Sequence, residues 1–205
     1  MPRFRRCKAA STRTFSITPW RPSTGRRGSE TISAMVNALS VLLGASMARQ
    51  NQRMVPLREE MKAADAYIYF IQQRVGADLR VIHDMDEGEE TLDCLVPLLT
   101  VQPVLENAVE HGITPAGGGK VILSCRRTGA CVRLEVINTG KAIGPEDRRK
   151  IDAALRGETG EGTHLGLANI ASRLRLIYGG HAAIDVFSDG EQRTVVRMDI
   201  PQNEA

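Results

Sequence analysis

The chain has 205 residues, 42% of them apolar and 25% charged, which is the make-up of one globular domain with room for a helical attachment. A formal net charge of +3 excludes a strongly acidic or basic protein. Aromatic residues at 4% mean that any core must be mostly aliphatic. No stretch reaches the roughly 18 apolar residues that a membrane-spanning helix needs. The best candidate, residues 33–48, is interrupted by Asn37, Ser40 and Ser46.

The positive charge is local. Residues 1–28 contain Arg3, Arg5, Arg6, Lys8, Arg13, Arg21, Arg26 and Arg27 and no acid, and the remainder is slightly acidic. This leader has no hydrophobic period and holds Trp20 between Pro19 and Pro22. It reads as a disordered basic segment. Its composition is that of a transit peptide without the amphipathic helix, or of an unrelated leader placed before a truncated gene. A basic arm suits nucleic acid or membrane, but nothing behind it has the pattern of a nucleic-acid module, so no nucleic-acid partner is expected.

A helix is expected from about Ser29, with Met35, Leu39, Leu42, Leu43 and Met47 at helical spacing. After Pro56 a second helix carries Leu57, Met61, Ala64, Ile68, Ile71 and Val75 on a heptad seam. Residues 29–77 therefore read as a helical hairpin. Its apolar face needs a partner, either the following domain or a second copy of the chain.

From residue 78 the texture changes. Residues 81–83 suggest a short strand, and 97–111 a helix. Residues 120–126 and 131–137 read as strands joined by a turn at 127–130. A helix over 145–155 opens on Pro145 with Glu146 and Asp147 beside it. A Gly-rich loop at 157–164 precedes a helix over 165–177 that stops at Gly179-Gly180. Residues 183–187 and 194–200 close the domain as a strand pair. This mixed order predicts an α+β, two-layer sandwich over 78–205. The four cysteines, Cys7, Cys94, Cys125 and Cys131, form no metal-like spacing. Cys125 and Cys131 fall on neighbouring strands, where they could face each other; reduced, buried thiols are the plainer expectation.

Three segments carry candidate chemistry. In Gln102-Pro103-Val104-Leu105-Glu106-Asn107-Ala108-Val109-Glu110-His111-Gly112-Ile113, Asn107 and His111 are i, i+4 and share a helix face. An Asn on an otherwise apolar helix needs a partner, and its carbonyl oxygen is a hard ligand suited to Mg²⁺ held against phosphates. Glu106 could orient or deprotonate an attacking group, and His111 could reach phosphate oxygens. A capped helix with a solvated polar face would look the same. The second segment, Asn138-Thr139-Gly140-Lys141-Ala142-Ile143, ends a strand in a turn. Asn138 there could accept from an adenine amino group, although a simple strand end has the same pattern. The third, Gly160-Glu161-Gly162-Thr163-His164-Leu165-Gly166-Leu167-Ala168-Asn169, places glycines before a helix start, as a phosphate cradle, a lid or a plain surface loop would.

Together the three resemble the N, G1 and G2 boxes of the GHKL ATP-binding superfamily of gyrase, certain chaperones, mismatch-repair ATPases and histidine kinases. The LytS/YehU-type sensor histidine kinases are the closer resemblance. It rests on Gln102-Pro103, Glu106-Asn107-Ala108 and His111-Gly112, on Gly166-Leu167-Ala168-Asn169-Ile170 with Arg173-Leu174 and Tyr178-Gly179, and on Leu57-Arg58-Glu59-Glu60 with Tyr67-Ile68 and Ile71-Gln72-Gln73-Arg74. The resemblance implies a Bergerat-type sandwich that binds Mg-ATP and passes its γ-phosphoryl to a histidine on a dimeric hairpin, for relay to a response regulator. Catalysis of such transfers is mostly positioning and charge neutralisation. It implies that Asn107 holds Mg²⁺ and Glu106 assists the reaction. The nucleotide contacts it implies are Asn107, His111, Asn138, Gly140, Ile143, Gly162, Leu165, Gly166 and Leu167. Its parent would be membrane-anchored with this domain in the cytoplasm; the chain as written would be soluble and cytoplasmic.

The chain departs from that pattern in four places. No Pro-His-Phe-containing phosphoacceptor motif precedes Ser29, so the histidine must lie upstream of a truncation or be supplied in trans. Asn138 replaces the family's adenine-contacting acid. Ala142 replaces a second glycine, and Arg193-Thr194 replaces a Gly-Thr pair. These departures also fit a degenerate nucleotide-binding regulator without kinase activity.

Overall fold

The computed structural model describes residues 35–40, 53–75, 78–86, 88–158, 165–188 and 192–202. The basic leader, the loop with Gly162 and most of the helix expected after Ser29 fall outside them; of that helix, residues 35–40 are helical.

In chain order the elements are β1 (Met54–Pro56), α1 (Leu57–Val75), β2 (Leu79–Met85), α2 (Glu89–Leu92), β3 (Leu95–Pro97), α3 (Val101–Asn107), β4 (Gly119–Thr128), β5 (Cys131–Thr139), α4 (Pro145–Arg156), α5 (Leu165–Tyr178), β6 (Ala183–Ser188) and β7 (Arg193–Pro201). Five strands form one sheet in the order β2-β4-β5-β7-β6. β2 and β4 run parallel, and the other neighbours are antiparallel. β1 and β3 form a separate two-stranded ladder.

Alternation along the strands decides which face is covered. Val121, Leu123 and Cys125, then Val132, Leu134 and Val136, then Val196, Met198 and Ile200 are all buried. The opposite face carries cross-strand ion pairs, Arg133 with Asp199 at 2.7 Å and Arg197 with Glu135 at 2.7 Å. One face therefore meets the helices and the other meets water. The result is the expected α+β Bergerat-type sandwich, a mixed sheet flanked by helices.

The heptad seam of α1 finds its partner within the chain. Leu57, Met61, Ala64, Ile68 and Ile71 all join the same buried cluster as Val101, Val104 and Leu105 of α3. Of the two partners open to that seam in the sequence, the following domain is the one seen. Among the described residues no helix is long and apolar enough to cross a membrane.

The helix expected over 97–111 begins later, at Val101, because Leu95–Pro97 is taken by the β1–β3 ladder. It then runs on from Asn107 into a wider π turn, Ala108–Ile113, and a short 3₁₀ turn, Thr114–Ala116. Such wide turns recur at functional sites. This one lies where the helix crosses β5. A Cβ on Gly112 would stand 2.1 Å from Asn138 Nδ2, and one on Gly140 would stand 2.3 Å from the Gly112 carbonyl oxygen. Gly140 also has φ +123°, which a side chain disfavours. The Lys141 amide donates to the Gly112 carbonyl at 3.0 Å. Helix and strand end thus meet backbone to backbone.

Cys125 sits opposite Leu134 and Cys131 opposite Thr128, so the two thiols do not face each other. Cys94, Cys125 and Cys131 are free thiols.

Two predictions follow from this packing. Gly112→Ala should lose about 1–3 kcal/mol in denaturant unfolding, as overpacking does, while Gly144→Ala, which meets nothing within 4 Å, should change stability by less than about 1 kcal/mol; equal losses would contradict the crossing. Burial pushes the Cys125 thiol up to about 12, so at pH 8 it stays protonated and covered. Peptide mapping after brief maleimide treatment of native protein should find label on Cys131 and none on Cys125.

Candidate nucleotide site

Polar side chains from separate segments converge beside the helix–strand crossing. They line a cavity of about 290 Å³ with Asn107, His111 and Gly112 from α3 and its π turn, and Asn138 at the end of β5. Lys141, Ala142 and Ile143 come from the following loop, Asp147 and Ile151 from α4, and Leu167 from α5. The volume is at the small end of the range for small-molecule sites, roughly 300–1,000 Å³.

Asn107 is oriented by its own helix. Its Nδ2 donates to the Pro103 carbonyl at 2.7 Å. Pro103 costs the helix nothing where it stands, since first-turn amides have no intrahelical acceptor. With its nitrogen engaged, the Asn107 amide keeps its oxygen as the remaining acceptor, and the residue lines the cavity. That oxygen is the hard donor suited to Mg²⁺, which takes few protein ligands and fills its shell with phosphate and water oxygens. Among the described residues no group of three His, Cys, Asp or Glu side chains that could hold a metal ion stands together. His111 lies on the exposed rim and also lines the cavity. The wider turn therefore keeps it on the same side as Asn107.

Asn138 is 3% exposed and donates from Nδ2 to the Thr139 carbonyl at 3.1 Å. The same nitrogen rests over Gly112. The Asn138 amide is thus held by its nitrogen, with its oxygen remaining as an acceptor. Thr194 pairs directly with Asn138 across β5 and β7, and both line the cavity. Ala142 is also in the lining. Its methyl therefore borders the cavity.

The remaining expected residues fall around this centre. Ile143 and Leu167 line the cavity as apolar walls. Gly140 stands behind it, at the crossing. A Cβ on Gly166 would be 3.1 Å from Asn107 Nδ2 and 3.5 Å from Pro103 Cβ, so this glycine lets α5 start against the Asn107 face. Leu165 begins α5. Gly162 lies outside the described residues. Glu106 is not part of the lining; it is half-buried and accepts from Gln102 Nε2 at 2.9 Å.

The sequence motifs did not reveal Lys141, Asp147 or Thr194 as lining residues. Thr194 had a readable signal: it is in phase with Val196, Met198 and Ile200 on the inward side of β7. Lys141 and Asp147 reach the cavity through a loop and a helix start whose approach is set only by the tertiary fold.

The chain is similar to several known proteins in sequence and in fold. Residues 22–79 match the histidine kinase family model. The chain is 32% identical over 155 residues to the sensor histidine kinase YpdA of Escherichia coli, covering 75% of this chain and 26% of that protein. It is 29% identical over 171 residues to the sensor histidine kinase YesM of Bacillus subtilis, covering 83% and 28%. It therefore spans about a quarter of the length of those relatives. Full-length ShkA in complex with AMPPNP has a similar fold, with a TM-score of 0.55 at 21% identity over 87% of this chain and 38% of that one. The catalytic domain of the histidine kinase ThkA gives 0.54 at 20% identity, over 73% and 95%. Residues 97–204 match the model of the histidine kinase-, DNA gyrase B- and HSP90-like ATPases, more than half of the chain, and the chain belongs to that family as an ATPase domain of the sensor histidine kinase kind.

Proposed function

We propose that the chain is the ATP-binding catalytic part of a sensor histidine kinase of the LytS/YehU type, which moves the γ-phosphoryl of Mg-ATP to a histidine for relay to a response regulator. The observation that carries this reading is the convergence of Asn107, His111 and Asn138 on one cavity. The family's ATP chemistry needs a magnesium ligand, a phosphate contact and a base contact, and these three side chains supply one of each.

In this reading Asn138 accepts from the purine amino group, with Ile143 and Leu167 against the ring and Gly140 shaping the turn. Asn107 gives its oxygen to Mg²⁺, which screens the phosphate charge. His111 and Lys141 face the phosphates from the rim. Glu106, steadied by Gln102, orients the accepting imidazole and takes its proton. Gly162, Leu165 and Gly166 add nucleotide contacts from the Gly-rich segment. Residues 29–77 are the remaining part of a dimerisation hairpin, 78–205 the catalytic domain and 1–28 a leader. The phosphoacceptor belongs to the parent protein upstream, or to a partner copy. The parent is membrane-anchored, with this domain in the cytoplasm.

A nucleotide-binding regulator without transferase activity is the second reading. It is favoured by Asn138 and Ala142 in the pocket.

The chain is incubated with labelled Mg-ATP and a separate hairpin bearing the phosphoacceptor histidine. Transfer is expected, and Asn107→Ala should reduce it by about a hundredfold or more with a stability change of about 1 kcal/mol. Nucleotide binding with no label on any histidine would select the regulator.

A further inference from the structure

The carboxylate of Glu60 on α1 is 2% exposed, and its recorded bonds all go to one short segment. Its Oε1 accepts from the Leu99 amide at 2.8 Å, and its Oε2 accepts from the amides of Thr100 at 2.8 Å and Val101 at 3.0 Å. These are the amides that open α3, where no intrahelical acceptor exists and the helix dipole favours an anion. The usual local device is a side chain at the N-cap. Here Thr100 turns its hydroxyl back to the Pro97 carbonyl at 2.6 Å and makes no cap bond. The cap comes instead from another helix, about 40 residues earlier in the chain.

The same segment is gripped from its other side. Arg173 of α5 donates through Nη1 to the carbonyls of Leu98 and Leu99. Between the two grips Leu99 has φ +58°, alone among the described non-glycine residues in having a positive φ. A branched, non-glycine residue stays in that region only when its surroundings hold it there. Residues 98–100 thus form a junction of three helices: α1 through amides, α5 through carbonyls, and α3 by continuity. From Val101 the helix advances about 9 Å to Asn107 at 1.5 Å per residue. Its Pro103 carbonyl holds the Asn107 amide, and Gly166 of α5 packs on the same pair. α1 lies within the stretch that matches the histidine kinase model, and α3 and α5 lie within the ATPase match.

We propose that Glu60 is a positioning residue for the nucleotide site: through residues 98–100 it sets where Asn107 stands, and so couples the place of α1 to the binding of Mg-nucleotide. The proposal rests on reading the cavity as an Mg-nucleotide site. Asn138 ends β5 and Ile143 lies on the loop after it, both outside the junction, so Glu60 governs the magnesium-dependent part of binding and leaves the Asn138 base contact alone. Coupling is reciprocal: Mg-nucleotide also tightens the Glu60 junction.

The test uses the full chain and the non-hydrolysable analogue AMPPNP, titrated calorimetrically with Mg²⁺ and with EDTA. For Glu60→Gln, affinity in EDTA is expected within about twofold of wild type, while the gain on adding Mg²⁺ falls about tenfold. Glu60→Asp, which keeps the charge and loses one methylene, should recover part of that gain. Hydrogen exchange at residues 99–101 should slow on adding Mg-AMPPNP in wild type and not in Glu60→Gln. A cap serving stability alone would weaken both conditions equally, and a wild-type magnesium gain in Glu60→Gln would equally overturn the proposal. If Glu60→Gln does not fold, Arg173→Gln loosens the junction from the carbonyl side, and an unchanged gain there overturns it. Wild-type protein that binds no AMPPNP in either condition removes the nucleotide reading itself.

Discussion

The π turn that continues α3 meets the end of β5 backbone to backbone at Gly112, Gly140 and Lys141, and the arrangement of the site depends on that contact. At Gly112 even one added methyl would overlap the Asn138 amide. At Gly140 it would overlap the Gly112 carbonyl. Because the backbones touch, the polar end of α3 and the polar end of β5 open into the same cavity. Close packing leaves little freedom to relax such a contact, so the two glycines determine where Asn107, His111 and Asn138 stand relative to one another.

The polar groups at this crossing are covered by bonds that leave a defined end for a ligand. Asn107 gives its nitrogen to Pro103, and Asn138 gives its nitrogen to Thr139. Each amide is thereby fixed with its oxygen as the remaining acceptor. A buried amide with no partner would cost about 1–3 kcal/mol, and an ion in the same place more. A neutral Asn138 therefore demands less of the apolar wall around it than an acid would. It keeps acceptor geometry and gives up charge. The same logic holds at the far end of α3, where Glu60 is buried with its charge met by three amides.

Much of this was legible in the sequence because it is written in local periods. The two-residue alternation of β5 and β7 and the heptad of α1 gave elements within a few residues of those observed. The three boxes named half of the polar lining, Asn107, His111 and Asn138. What could not be read was set by contacts distant in the chain. The β1–β3 ladder takes residues that otherwise look like the start of α3. The parallel pairing of β2 with β4 leaves no local signal. Lys141 and Asp147 enter the cavity by tertiary approach. Two partners were open for the α1 seam, and Leu57, Met61, Ala64, Ile68 and Ile71 are buried in one cluster with Val101, Val104 and Leu105 of α3. The Glu60 cap was invisible for the same reason, since its partners lie some 40 residues away and are backbone groups.

In the proposed function two side-chain amides divide the work, Asn138 at the base and Asn107 at the metal. Side-chain amide resonances of isotope-labelled protein, followed during titration with a non-hydrolysable ATP analogue, test this most directly. The account predicts that the Asn138 resonances move with nucleotide whether or not Mg²⁺ is present, and that those of Asn107 move only when Mg²⁺ is added. Nucleotide binding that shifts neither pair, or shifts Asn107 equally in EDTA, would contradict it.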